Sequence, residues 1–378
     1  MKVLLAQNIA AIAGSEKYFI QLLPALKKKG VDVSFFNFYL PENKKLANLF
    51  SQKLQQEGIE VFEFETSRYI SFRLLLALKK CIQSNQFEIL HTHLIYADFL
   101  GALLKKFFGV KVKFLTTLHG YQENLYFKYC LTPQKLPKTL YYYIMRFSLN
   151  QMNGVYACSH GLKNFFDQIG LTPKNCKIEV IHHGFDYPEL IPSKVQQNRV
   201  AKTQIAIVGR LVERKGHVLV LNELKSLIDE YSNLKLIIAG DGEKEAELHQ
   251  LVKDLNFKEN VEFLGYREDT LEIMAASDVV LVPSYSEGLP LIIFEAFHSG
   301  TPVIAFDTIG CNEAIKHEQT GLIAAPFDGE MMLNQAKKLL RDNQLSKTLA
   351  QQAKQSLKEE FSKEKMVTNT IKYYRKLF

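Results

Sequence analysis

Residues 279–305, VVLVPSYSEGLPLIIFEAFHSGTPVIA, contain a complete strand–helix–strand pattern. The short apolar run Val279–Val282 predicts a buried strand, and the apolar-rich segment Leu291–Ser299 predicts a helix that Gly300 ends. Pro302–Ala305 predicts the next strand. Short apolar strands joined by a helix are typical of a parallel sheet with helices packed on its faces.

The same alternation extends to both sides of this segment. Earlier strands are predicted at Lys2–Ala6, Val31–Tyr39, Ile59–Phe64, Ile89–Thr92, Lys113–Leu118, Gly154–Ala157, Gln204–Val208, Lys235–Ala239 and Asn260–Phe263. The polar, proline-containing stretch Tyr187–Arg199 interrupts the series and predicts a linker. We therefore expect an α/β protein with two doubly wound, Rossmann-like domains, residues 1–190 and 191–361, whose strand ends face a central cleft. Residues 362–378 predict a terminal helix that packs back on the first domain.

Length and composition exclude several classes of protein. The 378 residues are 47% hydrophobic, which excludes a disordered chain and supplies enough apolar side chains for two or three cores. No apolar run approaches the roughly 18 residues that span a bilayer. Gln7 and Asn8 interrupt the signal-like start, which is better explained as a first buried strand. Five scattered cysteines, with no CxxC pair, predict a reducing cytoplasm and no structural zinc.

The net charge of +7 is unevenly distributed along the chain. Residues 1–190 contain 23 Lys and Arg against 14 Asp and Glu, an excess of +9, whereas the remainder has 24 against 26, a balance of −2. A basic half predicts contact with something anionic, such as a membrane surface, although solvated lysines that only maintain solubility explain it equally well.

Two segments of the second half combine charges with strand–loop–helix transitions. In Val208–Gly216, VGRLVERKG, Arg210 and Lys215 follow a predicted strand, and a guanidinium with an ammonium suits a diphosphate. In the second segment, Ser284–Ser299, Glu287 and Gly288 stand just before the predicted helix, which contains Glu295. Helix N-termini bind anions, and carboxylates accept hydrogen bonds from sugar or ribose hydroxyls. Each signal alone is compatible with chance, but both fall on the predicted ligand-binding edge of one sheet.

Longer motifs carry a specific resemblance. GRLVERKG, AGDGEKEAEL, FLGY and SEGLPLIIFEAFHSGTPVIAFDTIGCNEAI occur in that order, with an E-x7-E spacing from Glu287 to Glu295. This set resembles glycosyltransferase family 4, whose members are retaining GT-B enzymes that use nucleotide-sugar donors. Ala13–Lys17 resembles the glycine loop of that family, and Thr117–Gly120 resembles its histidine loop. Ala157-Cys158-Ser159, followed by His183-Gly184-Phe185-Asp186, resembles its closing segment.

The resemblance implies roles for individual residues. Arg210 and Lys215 would neutralise the donor diphosphate, Glu295 would hold the ribose hydroxyls, and Glu287 with the following amides would hold the sugar. His119 would stand beside the sugar, which makes His119, Glu287, Arg210 and Lys215 the predicted catalytic residues. The predicted donor-binding residues are Gly14, Arg210, Lys215, Tyr266, Glu287, Gly288, Leu289, Leu291 and Glu295. Two departures from the family pattern are Ala13-Gly14 in place of a double glycine, and His183 in place of an asparagine.

The sequence offers little support for a metal. His91 and His93 share one face of a strand, but no neighbouring Cys or carboxylate completes a ligand set, so we interpret them as hydrogen-bonded structural residues. The sequence contains no Asp-x-Asp motif of the kind that chelates a diphosphate-bound cation. We therefore expect no cofactor and no metal, with the nucleotide sugar acting as a substrate.

The resulting functional hypothesis is retaining sugar transfer from a nucleotide sugar, with UDP favoured as the nucleotide, to a glycan or lipid-linked acceptor in cell-surface polysaccharide or lipopolysaccharide synthesis. A GT-B sugar-nucleotide epimerase and a non-catalytic nucleotide-sugar-binding protein are the alternatives. Nucleic acid is not expected as a partner, because the sequence contains no aromatic-basic platform motif such as RNP1. The aromatic and basic stretch Lys135–Phe147 suits a headgroup–acyl boundary. We expect a cytoplasmic protein, and a peripheral one on the inner membrane face if this stretch is exposed.

Overall fold

The computed structural model describes residues 1–10, 14–121, 128 and 130–378. Their contacts divide the chain into two compact units, Met1–Asp186 with Phe361–Phe378 (unit 1) and Tyr187–Glu360 (unit 2). Ala13, part of the predicted glycine loop, lies outside the described residues. No helix in the described part of the chain is both long enough and apolar enough to span a membrane.

Unit 1 contains a parallel sheet of seven strands in the order β3-β2-β1-β4-β5-β6-β7. Its strands are β1 (Lys2–Asn8), β2 (Asp32–Tyr39), β3 (Glu60–Glu65), β4 (Ile89–His93), β5 (Lys113–Leu118), β6 (Gly154–Ala157) and β7 (Ile178–Val180). Its first helices are α1 (Gly14–Lys28), α2 (Lys44–Gln56), α3 (Phe72–Ser84), α4 (Leu94–Phe108), α5 (Leu140–Leu149) and α6 (His160–Gln168). Residues 3–8 of β1 are buried, so the start of the chain is a core strand, as predicted.

Unit 2 contains a second parallel sheet, in the order β10-β9-β8-β11-β12-β13. Its strands are β8 (Thr203–Val208), β9 (Leu234–Ala239), β10 (Val261–Gly265), β11 (Val279–Val282), β12 (Val303–Phe306) and β13 (Leu322–Ala324). Its helices are α7 (Pro192–Asn198), α8 (His217–Glu223), α9 (Lys225–Ile228), α10 (Glu245–Asp254), α11 (Thr270–Ala275), α12 (Leu291–Ser299), α13 (Cys311–Ala314), α14 (Gly329–Arg341) and α15 (Asn343–Glu360). An aliphatic core of Ile, Leu and Val fixes the sheet against these helices.

The last helix, α16 (Lys363–Lys376), belongs to unit 1 and packs against α1. Tyr373 and Tyr374 on this helix are buried, and the Tyr373 hydroxyl donates to the Val155 carbonyl and accepts from the Val155 amide. A Cβ added to Gly154 would lie 2.9 Å from the Tyr373 ring, so only glycine allows this close approach.

The two doubly wound sheets confirm the predicted fold class. Three details differ from the sequence prediction. The three-residue strands β7 and β13 were not expected, and the predicted linker contains the short helix α7, which begins at Pro192, a residue that suits a first helical position.

Candidate functional site

Most of the predicted residues of unit 2, Tyr266 excepted, lie where the strand order reverses. β8 stands between β9 and β11, so the loops that follow β8 and β11 leave the carboxyl edge of the sheet side by side. Such a switch point is where open parallel sheets bind ligands. Residues 209–216 and 283–290 form these two loops.

Backbone contacts fix the two loops to each other. Gly216 has a φ of 69°, and a Cβ there would lie 1.9 Å from the Pro283 carbonyl oxygen, so the left-handed turn and the close approach both require glycine. The Tyr285 amide donates to the Arg214 carbonyl at 2.8 Å. The Glu287 amide donates to the Ile309 carbonyl at 3.0 Å. The loop that holds Glu287 is therefore restrained on two sides.

Glu287 is the centre of a group of three charges. Lys215 Nζ donates to its Oε1 at 2.6 Å, and Arg214 Nη1 donates to its Oε2 at 3.1 Å. Burial alone would raise the pKa of Glu287, but the two cations outweigh it and lower the pKa to about 2. Glu287 is therefore a carboxylate at any physiological pH, with its two oxygens held in fixed directions.

Arg214 was not among the predicted site residues. It stands next to Lys215 in the sequence, but its contact with Glu287 depends on β8 and β11 being neighbours. Arg210, which was predicted, is exposed and makes no ion pair with any residue that the structure describes. Its guanidinium is therefore available at the mouth of the two loops.

The other predicted donor-binding residues of unit 2 surround α12 and the end of β10. Gly288 and Leu289 precede the helix, Leu291 is its first residue, and Glu295 is buried one turn further on. The amides of the first turn have no partners within the helix, which gives this end a partial positive charge. Tyr266 follows β10 and is 68% exposed.

In unit 1 the strand order reverses between β1 and β4, and the predicted residues Gly14 and His119 follow β1 and β5. Gly14 is the first residue of α1 and is exposed. His119 Nε2 lies 2.8 Å from His93 Nδ1, and Tyr18 packs its ring edge-on against His119 with the centroids 5.2 Å apart. Burial lowers the pKa of His119 to about 3, so the imidazole is neutral.

His91 and His93 are both buried on the same face of β4, as their spacing predicted. His91 hydrogen bonds through both ring nitrogens, to Tyr374 and to Thr117. His93 hydrogen bonds to His119, a contact that the sequence gave no reason to expect.

The aromatic and basic stretch Lys135–Phe147 is only partly on the surface. Tyr142 and Met145 of α5 are buried against the unit, so only part of the run is available for contacts. Leu140 is 75% exposed and Tyr143 is 53% exposed, and basic side chains flank them.

Comparisons with known proteins agree with the two-sheet fold and identify the family. The family described as "Glycosyltransferase Family 4" matches residues 12–187, and "Glycosyl transferases group 1" matches residues 192–356. The chain is 27% identical over 377 residues to N-acetyl-alpha-D-glucosaminyl L-malate synthase of Bacillus anthracis, covering 96% of this chain and 94% of the relative. It is 24% identical over 357 residues to UDP-Gal:alpha-D-GlcNAc-diphosphoundecaprenol alpha-1,3-galactosyltransferase of Escherichia coli, covering 92% and 89%. Among solved structures, Anabaena Alr3699/HepE in complex with UDP-glucose has a TM-score of 0.82 at 22% identity, with both chains fully covered, and therefore shares the fold.

Proposed function

The chain belongs to glycosyltransferase family 4, and from that premise we propose that it transfers a sugar from a UDP-sugar to a hydroxyl group of a glycan or glycolipid, with retention of anomeric configuration. The observation that carries the proposal is the fixed group of Glu287, Lys215 and Arg214 beside the start of α12.

This group suits a reaction in which negative charge develops on a leaving diphosphate. Lys215, the exposed Arg210 and the first amides of α12 lie on adjacent loops and stabilise that charge, and Lys215 is already held in place by Glu287. Glu287 is kept ionised and accepts hydrogen bonds from the hydroxyls of the transferred sugar. Gly288, Leu289 and Leu291 bring backbone close to the diphosphate and the sugar.

Glu295 and Tyr266 supply the nucleoside part of the donor site. We assign Glu295 to the ribose hydroxyls and Tyr266 to the base, and Gly14 of unit 1 to an approach near the phosphate. UDP is the preferred nucleotide because two similar proteins carry it in their names, the E. coli relative as UDP-Gal and the Anabaena structure as UDP-glucose. No metal or cofactor is assigned to the reaction.

The retaining course is proposed from membership of glycosyltransferase family 4, since the resemblance to that family implies attack on the same face. The acceptor hydroxyl attacks the same face from which the diphosphate departs, and a departing phosphate oxygen takes its proton. His119 is assigned a contact with the sugar, where a neutral imidazole can either donate or accept a hydrogen bond.

The acceptor is proposed to be lipid-linked and presented at the cytoplasmic face of a membrane. Unit 1 contains most of the basic first half of the chain and exposes Leu140 and Tyr143 between Lys138 and Arg146. Each basic residue near an anionic leaflet contributes about 1 kcal/mol, so several together recruit a protein reversibly. The name of the E. coli relative specifies a diphosphoundecaprenol acceptor, which is consistent with this choice.

A donor panel tests the proposal. Purified protein is incubated with UDP- and GDP-sugars, with and without lipid-linked acceptors, and release of nucleoside diphosphate is measured. We expect release from a UDP-sugar that increases with acceptor, and a product with the anomeric configuration of the donor. A changed sugar without release would instead indicate an epimerase, and tight binding with neither would indicate a binding protein.

A further inference from the structure

Four histidines lie close together at the carboxyl edge of the sheet of unit 1. His93 ends β4 and is paired in register with Thr117 of β5, so His119, two residues further along, projects on the same face. The rings of His91 and His93 are 4.2 Å apart, those of His93 and His119 are 5.1 Å apart, and those of His119 and His183 are 5.1 Å apart. The four rings therefore form a continuous row.

The histidines differ in how their nitrogens are used. His91 has both nitrogens hydrogen bonded, Nδ1 to the Tyr374 hydroxyl at 2.8 Å and Nε2 to the Thr117 hydroxyl at 2.7 Å. It is therefore locked in place by two side chains. His93 uses only Nδ1, on His119, and its buried Nε2 has no partner among the residues that the structure describes. Within the described part of the chain, the His93 side chain is oriented by ring packing and by its hydrogen bond to His119, which is its one polar contact there.

His119 is left with one nitrogen for other contacts. Its Nε2 is occupied by His93, while Nδ1 has no hydrogen bond within the described part of the chain. His119 is only partly buried and lines a cavity about the size of one water molecule, together with Asp98 and Tyr141. Nδ1 is therefore the nitrogen that remains for a substrate hydroxyl.

The bond between His93 and His119 carries one proton. Burial lowers the pKa of both imidazoles, so both are neutral, and each has a single N–H. If His93 donates, His119 carries its own proton on Nδ1; if His119 donates, its Nδ1 is a bare acceptor. The hydrogen bond on one nitrogen of a histidine thus determines what the other nitrogen offers.

We propose that His93 is a positioning residue for sugar transfer, which holds the His119 ring in one tautomer and one orientation through the Nδ1–Nε2 hydrogen bond. This inference rests on the proposed function, since it assigns His119 a contact with the sugar. His91 is the structural support of the pair, because its ring packs against His93 at a centroid distance of 4.2 Å with both of its own nitrogens hydrogen bonded.

Three substitutions separate positioning from packing. His93→Phe keeps the stacked ring, removes the hydrogen bond and also removes the unpartnered buried Nε2. His93→Asn keeps a hydrogen-bonding group near the position of Nδ1 but loses the ring. His91→Phe leaves two buried hydroxyls without their partner, so it is the control for structural damage.

Measurements of kcat and of the thermal midpoint should rank these three variants in different orders. We expect His93→Phe to lower kcat roughly 10- to 100-fold, by analogy with loss of the outer hydrogen-bond partner of a metal-bound histidine, with a nearly unchanged thermal midpoint. His93→Asn should recover part of that rate. His91→Phe should lower the midpoint most. A parent-like kcat for His93→Phe would overturn the proposal.

A double-mutant cycle and a spectrum complete the test. In a His119→Ala background, His93→Phe should change kcat less than about 2-fold, because its effect passes through His119. An equal loss in both backgrounds would mean that His93 acts independently, and would contradict the proposal. In 15N-histidine NMR without any sugar nucleotide, His119 should show one neutral tautomer in the parent protein and averaged shifts in His93→Phe. Unchanged His119 signals in His93→Phe would also contradict it. This spectrum tests the His93–His119 hydrogen bond without any turnover. If no donor in the panel were turned over, the proposed function would be rejected, but the hydrogen bond could still be tested.

Discussion

Replacement of Asp98 by asparagine should remove a large pH dependence of stability from unit 1. Asp98 lies on α4 and is almost completely buried. Its Oδ1 accepts hydrogen bonds from the Thr92 hydroxyl at 2.5 Å and from the Thr116 hydroxyl at 2.6 Å. Burial raises its pKa to about 7, although these two hydrogen bonds act in the opposite direction.

The direction of the effect follows from proton binding. The folded protein holds the Asp98 proton more tightly than the unfolded chain, whose aspartate pKa is about 3.9. The stability that this provides is complete below pH 4, is lost as the pH rises through the folded pKa of about 7, and does not change further above it. A difference of about 3 pKa units corresponds to roughly 4 kcal/mol over the whole range, of which about 2 to 3 kcal/mol falls between pH 5 and pH 8.

Urea unfolding of the parent protein and of Asp98→Asn at pH 5 and pH 8 measures this difference. The asparagine carbonyl still accepts from both threonines but does not titrate, so the parent should lose about 2 to 3 kcal/mol relative to the variant on going from pH 5 to pH 8. Asp32→Asn, at an exposed position of the same unit, is the control. A difference between parent and Asp98→Asn that is the same at both pH values would refute the reasoning.

Further predictions concern the donor, the metal and the membrane. Lys215→Ala should lower kcat by about 100-fold or more in a nucleoside diphosphate release assay, whereas Lys225→Ala, at an exposed position, should leave kcat unchanged. A kcat of Lys215→Ala equal to that of the parent would contradict the assignment of Lys215 to the diphosphate. Glu295→Ala should raise the donor KM with little change in kcat, and the reverse pattern would argue against a ribose contact. Activity should survive EDTA, and complete loss restored by manganese would contradict metal independence. The protein should co-sediment with phosphatidylglycerol vesicles at low salt but not with phosphatidylcholine vesicles. A Leu140→Ser, Tyr143→Ser double variant should bind the phosphatidylglycerol vesicles more weakly. Equal, negligible pelleting of the parent with both lipids would favour a soluble acceptor.

Local patterns were sufficient for most of the fold. The helix Leu291–Ser299 has the predicted limits, because Gly300 ends it with a left-handed residue of φ 73° that the sequence shows directly. The strands β7 and β13 have only three residues each, too few for a period to be recognised, and they form because neighbouring strands offer them backbone partners.

The site was less predictable, since its contacts join residues far apart in the chain. Arg214 reaches Glu287 across 73 positions, and His93 reaches His119 across 26. Both contacts depend on which strands become neighbours at the switch points, and a single sequence specifies that order only through the completed sheets. Residue types and loop positions could be predicted, but the pairing of side chains could not.

The position of α16 has a consequence for how the protein is made. Tyr373 and Tyr374 complete the core of unit 1, where they bond to Val155 and His91. A ribosome delivers every residue of unit 2 before it delivers this helix. Residues 1–186 of unit 1 therefore lack part of their core until unit 2 has been synthesised. We expect the nascent chain to acquire its native amino-terminal core only after translation passes residue 374, an order opposite to the usual one in which each domain folds as it leaves the ribosome.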